Sequence, residues 1–184
     1  MNRRTLIHSC AVLAAAGVAL PAFAQGTDPE NTLYLDLKQG RVVIQLLPDV
    51  APKHVAQIKT LARQGFYDGT PFHRVIDGFM AQGGDPTGTG GGGSKLPNLP
   101  AEFSQLHFVR GVCGMARTSD PDSANSQFFI MFAPAPSLDG KYTIWGRVVS
   151  GMEYVDQIKR GAPGSGTVTN PDRIIHMRVA ADVK

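Results

Sequence analysis

Cysteine is nearly absent from this 184-residue chain, which carries only Cys10 and Cys113. Cys10 falls in a leader expected to be removed, so no internal disulfide is expected and the fold must rest on its apolar core. Cys113, inside Val112-Cys113-Gly114-Met115, reads as a small buried hydrophobe rather than a reactive thiol. Charge of one sign is lacking as well: 18 Lys and Arg face 15 Asp and Glu. Two of the basic residues, Arg3 and Arg4, leave with the leader, which brings the remainder close to neutral. Without a basic stripe, nucleic acid is not an expected partner. No apolar run reaches the roughly 20 residues that a bilayer crossing requires, so no membrane attachment is expected once the leader is gone.

The usual catalytic signatures are missing too. Gly88-Thr89-Gly90-Gly91-Gly92-Gly93 matches G-x-G-x-x-G in form. Pro97 and Pro100 follow too soon for the helix that a dinucleotide site needs. A P-loop requires Gly-Lys-Ser/Thr, and the order here is Ser94-Lys95. Gly164-Ser165-Gly166 is no nucleophile elbow, since Pro163 stands where the first glycine would be. His54, His73, His107 and His176 show no metal-ligand spacing, and no acid pair suggests glycosidase chemistry. Hydrolytic, redox and metal-dependent classes lose their support, and no metal is expected.

What is present begins with an export signal. Arg3-Arg4 precede a short apolar segment at 10–20, and Ala22-Phe23-Ala24 supplies a small-x-small cleavage site. Residues 1–24 read as a cleaved signal peptide and 25–184 as one domain. That domain is large enough to bury about 70% of the surface its unfolded chain exposes. The expected location is the periplasm, or the medium if the cell has no outer membrane. The arginine pair leaves both the general secretory and the twin-arginine routes open.

Periodicity gives a mainly β chain. Leu33, Leu35 and Leu37 alternate with polar residues, as do Val42, Ile44 and Leu46, across a turn at Gln39-Gly40. Pro52 opens a helix carrying Val55, Ile58, Leu61 and Ala62 on one face, and Gly65 ends it. Segments 72–76 and 79–82 read as a hairpin about Asp77-Gly78. Further strands are expected at 109–116, 126–132, 142–149 and 174–180, with a short helix at 152–158. A long loop spans 85–100, and its Gly90 to Gly93 run reads as flexible. About eight short strands with two helices suggest a closed antiparallel barrel capped at its ends, because closure removes exposed strand edges.

Three segments carry the chemistry. The first is Phe72-His73-Arg74-Val75-Ile76-Asp77-Gly78-Phe79-Met80-Ala81-Gln82-Gly83-Gly84-Asp85. The second is Met115-Ala116 followed by Asn125-Ser126-Gln127-Phe128-Phe129-Ile130. The third is Leu138-Asp139-Gly140-Lys141-Tyr142, leading to Trp145-Gly146. In order and spacing these resemble the cyclophilin family over essentially all of 25–184. The resemblance implies a peptidyl-prolyl cis-trans isomerase with an eight-stranded barrel and two capping helices. It implies Arg74 as the catalytic arginine, with Gln82 assisting. It implies Phe79, Met80, Phe129 and Leu138 as the walls of a proline pocket. Ala116, Gln127 and Tyr142 are implied along the substrate groove.

Tyr142 stands where the best-known eukaryotic members have His, which resembles the bacterial periplasmic branch. Ser137 stands where they have Trp, and the loss of that indole implies weak cyclosporin binding. The implied partners are proline-containing polypeptides, unfolded or exported, met by a monomer, and the resemblance implies that no cofactor is needed. The competing function is a non-catalytic, chaperone-like module that binds Pro-containing segments. His73 lies on the opposite strand face from Arg74 and reads as a structural, hydrogen-bonded histidine.

Overall fold

The computed structural model describes residues 28–183. The expected signal peptide at 1–24 lies outside the described residues. Eight strands make one antiparallel sheet: β1 (Thr32–Leu37), β2 (Gly40–Leu46), β3 (Arg74–Ile76), β4 (Met80–Gly83), β5 (Val112–Met115), β6 (Phe128–Met131), β7 (Ile144–Ser150) and β8 (His176–Val179). Their spatial order is β3-β4-β6-β5-β7-β2-β1-β8. The alternation expected for β1 and β2 holds, with Leu33, Leu35, Leu37, Val42, Ile44 and Leu46 all buried. Leu37 pairs with Gly40, which places the turn at Lys38-Gln39, one residue before the expected position.

The ladder does not close. β3 and β8 are its two edges, so the fold is an open, curled sheet rather than the closed barrel expected from the sequence. The β3 side instead meets the 166–174 segment that leads into β8, through isolated antiparallel bridges, Pro71 with Arg173 and Arg74 with Thr167, and single hydrogen bonds. Phe72 N–H donates to the Asp172 carbonyl at 2.9 Å, Gly69 N–H to Ile174 at 2.8 Å, and Val75 N–H to Gly166 at 2.7 Å. The reason is local. β3 has three residues, and the chain opposite it contains Pro163, Gly164, Gly166 and Pro171, which cannot sustain a regular ladder.

Of the two helices, α1 (Pro52–Arg63) matches expectation. It buries Val55, Ile58, Leu61 and Ala62. Its end is a Schellman motif: Phe66 N–H bonds the Leu61 carbonyl at 3.0 Å, Gly65 N–H bonds Ala62 at 3.0 Å, and Gly65 takes φ 67°. The second helix, α2 (Met152–Val155), is one turn, shorter than the expected 152–158, although Ile158 is still buried.

Side chains on the two faces of the sheet, together with Phe108 from a loop, build two apolar layers. Val75, Ala81, Phe128, Ile130 and Trp145 face the main core. Met80, Phe129, Met131, Phe108, Val112 and Ile144 form a second cluster on the other face. Burial on both faces explains why β5 and β6 are continuously apolar.

Candidate active site

Strand register assembles the site. Arg74 pairs with Gln82 across β3–β4, Gln82 with Phe129 across β4–β6, and Phe129 with Gly114 across β6–β5. One row of cross-strand neighbours thus runs from a cation through an amide to an aromatic ring. Gly114 completes it by absence, because a Cβ there would lie 2.5 Å from the Phe129 ring and 2.7 Å from Phe108. The β3–β4 turn holds Gly78 at φ 67°, and Phe79 N–H bonds the Ile76 carbonyl at 3.1 Å. Phe79 is tied to β6 through its own carbonyl, which accepts from Phe132 N–H at 2.8 Å.

A cleft of about 200 Å³ lies over this row, lined by Arg74, Phe79, Met80, Gln82, Ala116, Arg117, Phe129, Leu138 and Tyr142. Every sequence-derived site residue is therefore gathered there except Gln127, which lines the adjoining cleft of about 370 Å³. Gln82, Ala116 and Arg117 form the wall between the two. The floor is dry, with Met80 and Phe129 buried. Phe129 stacks on Phe108 at 5.7 Å and meets the Tyr142 ring edge-on at 5.9 Å. Leu138 ends a 3-10 turn, Pro136–Leu138. Asp139 beside it accepts from Phe108 N–H at 2.8 Å and pairs with His107 Nδ1 at 2.7 Å. Those two bonds hold the Asp139 carboxyl below its usual range.

The polar side is a chain of hydrogen bonds. Arg74 Nε donates to the Ser165 carbonyl at 3.2 Å, and Nη1 donates to Gln82 Oε1 at 3.2 Å. Gln82 Nε2 donates to Gln127 Oε1 at 2.9 Å. Two of the five guanidinium N–H groups are thereby taken, and Arg74 forms no ion pair with a carboxylate among the described residues. Its charge is therefore free to act in the cleft.

Several contributors were not legible in the sequence. Arg117 bonds the Lys141 carbonyl through Nε and Nη2, at 3.1 and 2.8 Å, and lies 4.4 Å over the Tyr142 ring. Phe108 backs the floor, and Asn125 joins the adjoining cleft. The run from Gly90 to Gly93 does border the groove, but its peptide groups are held around the Asp85 carboxylate. No helix follows it.

His73 is buried, but neither ring nitrogen makes a hydrogen bond, unlike the hydrogen-bonded histidine expected from the sequence. Burial lowers its pKa, opposed by the Asp85 charge and the nearby Pro71 carbonyl. Cys113 is buried, and desolvation pushes its thiol up, as suits an inert side chain.

The comparisons with known proteins agree on one family. Residues 32–179 match the family model described as cyclophilin type peptidyl-prolyl cis-trans isomerase/CLD. A probable peptidyl-prolyl cis-trans isomerase of Brucella suis is 55% identical over 190 residues, spanning 95% of this chain and 97% of that protein. The peptidyl-prolyl cis-trans isomerase CYP18-2 of Arabidopsis thaliana is 38% identical, spanning 85% of this chain and 93% of that one. Among solved structures, the cyclophilin AquaCyp293 of Hirschia baltica superposes with a TM-score of 0.76 at 31% identity, covering 86% of this chain and 77% of its own. A Cryptosporidium parvum cyclophilin solved in the presence of the dipeptide Ala-Pro gives 0.73 at 29% identity, covering 80% and 98%.

Proposed function

This chain belongs to the cyclophilin-type peptidyl-prolyl cis-trans isomerase family and is a peptidyl-prolyl cis-trans isomerase, and from that premise we propose that Arg74 and the Phe129-lined cleft are its catalytic machinery. The observation that carries the assignment is a single cleft walled on one side by a guanidinium and on the other by apolar rings.

Rotation about a peptide bond costs about 18–20 kcal/mol because resonance gives C–N double-bond character. Unaided X-Pro exchange takes tens to hundreds of seconds. No covalent bond to carbon breaks, so the enzyme has only to favour the twisted state over both planar ones. In the twisted state the proline nitrogen pyramidalises and regains its lone pair. Arg74 donates to that lone pair, an interaction the planar ground state hardly offers. Ser165 and Gln82 hold the guanidinium from behind, so little ordering remains to be done in the transition state. Phe79, Met80, Phe129 and Leu138 grip the ring, and their dryness strengthens the single polar contact. The residues flanking proline lie along Ala116, Gln127 and Tyr142 and into the adjoining cleft. That the Cryptosporidium parvum relative was solved with Ala-Pro supports a proline-containing peptide as ligand.

The clients in this reading are exported polypeptides, met in the periplasm after removal of 1–24, by a monomer. The catalytic reading is tested by NMR exchange on a short X-Pro peptide. Arg74→Ala is expected to keep the fold and lower kcat/KM by roughly a hundredfold, the usual loss when one preorganised transition-state donor is removed. An Arg74→Ala protein with wild-type turnover would overturn it.

A further inference from the structure

Gln82 and Gln127 are amides, and the two ends of an amide differ little in shape but oppositely in hydrogen bonding. One end accepts and the other donates. Which end faces Arg74 decides whether the guanidinium is held or repelled. The fold settles this at a distance from Arg74. The Gly92 and Gly90 carbonyls lie 2.8 and 3.0 Å from one end of the Gln127 amide. Carbonyl oxygens only accept, so that end must be Nε2. Oε1 of Gln127 is then turned to Gln82, which meets it with its own Nε2. Oε1 of Gln82 is left to accept from Arg74 Nη1.

The two carbonyls are fixed in turn by a buried carboxylate. Asp85 is fully buried. Its Oδ2 accepts from Gly90 N–H at 2.7 Å and Gly92 N–H at 3.1 Å, and its Oδ1 accepts from Thr87 N–H and Oγ1, both at 2.8 Å. Burial works to raise the Asp85 carboxyl, but these four donors outweigh it and hold the group below its usual range. The glycines are required for this fit. A Cβ at Gly92 would lie 2.0 Å from Asp85 Oδ1, and Gly90 sits at φ 85°.

We propose that Asp85 is a positioning residue for the isomerisation: through Gly90 and Gly92 it sets the amide polarity of Gln127 and Gln82, so that Arg74 always meets an acceptor. The proposal rests on the assignment of Arg74 as the catalytic donor. It gives the glycine run a task other than cradling a ligand.

The test is a double-mutant cycle on an X-Pro peptide, with kcat and KM measured separately by NMR exchange. Asp85→Asn keeps the side-chain shape but turns an amide NH2 toward backbone N–H groups. It is expected to lower kcat about tenfold, the effect of about one hydrogen bond, with KM unchanged because the apolar walls stay in place. In the Arg74→Ala background the same change is expected to cost nothing further, since it acts only through Arg74. Wild-type kcat in Asp85→Asn would overturn the proposal. So would a double variant slower than Arg74→Ala by the full Asp85→Asn factor, the mark of a merely structural role. If Asp85→Asn does not fold, Thr87→Val replaces it, because it removes one of the donors that seat the Asp85 carboxylate without touching either cleft, and the same non-additivity in kcat is expected. Undiminished kcat in Arg74→Ala alone would instead remove the catalytic assignment on which the proposal stands.

Discussion

Phe129 shows how one side chain can serve stability and catalysis together. Its ring is buried against Phe108 and Tyr142, so it belongs to the second apolar cluster, while its exposed edge lines the cleft. Phe129→Ala is therefore expected to cost about 3–5 kcal/mol of unfolding free energy. It is also expected to raise KM for an X-Pro peptide more than it lowers kcat, because grip is lost while Arg74 stays in place. Urea denaturation together with steady-state exchange checks both, and an unchanged KM would show that the ring does not hold proline. Phe129, Arg74 and Gln82 were legible in the sequence because they sit in contiguous motifs. Asp85 stood at the end of the same motif, yet its task was not legible. It depends on two loop peptide groups folding back over it. Arg117 was missed for a similar reason, since its acceptor, the Lys141 carbonyl, is 24 residues away.

At the scale of elements, alternation exposed β1 and β2, and Gly65 marked the end of α1. Pro52 marked its start, but what caps that start was not legible. Ala51 offers no side-chain cap; the Glu102 carboxylate, from a distant loop, accepts from Lys53 and His54 N–H at 3.1 Å each. The same carboxylate pairs with His54 Nδ1 at 2.7 Å. Desolvation lowers the pKa of buried His54 despite that partner, and it lowers His73 likewise.

The sign of the linkage follows. Below the unfolded value of 6.5, the unfolded chain binds protons that these two histidines refuse in the fold. Stability is thus complete above that pH and falls as pH drops through it, by up to about 1.4 kcal/mol per pH unit for each histidine. Glu102 and Asp85, both held low, add a further loss as pH falls through their depressed folded values. Urea midpoints are expected to be level near pH 7.5 and to decline as pH falls from 6.5 to 5.5, and a midpoint that held or rose over that lower range would contradict this account.

For the whole molecule, the count of eight strands was legible from pattern, but their order in the sheet and the open edge were not. Whether β3 and β8 join is decided by how residues 161–174 cross between them, and that geometry has no periodic signal. The opposite end of the described chain is well tied. Asp28 caps the 3-10 turn Pro29–Asn31 through Glu30 N–H, and Glu30 pairs with Lys59 and Arg63 on α1. β1 follows at once and lies between β2 and β8. The residues that line the cleft, from Arg74 to Tyr142, all lie well after Asp28. The expected cleavage after Ala24 leaves this framework whole. A protein comprising residues 25–184 is expected to fold alone and match the full-length chain in kcat/KM. When the full chain is expressed in a Gram-negative host, the isomerase is expected in the periplasmic fraction with an intact mass that begins at Gln25. Retention of residues 1–24 on an active protein in the cytoplasm would mean that the arginine pair and the Ala22-Phe23-Ala24 site do not act as an export signal.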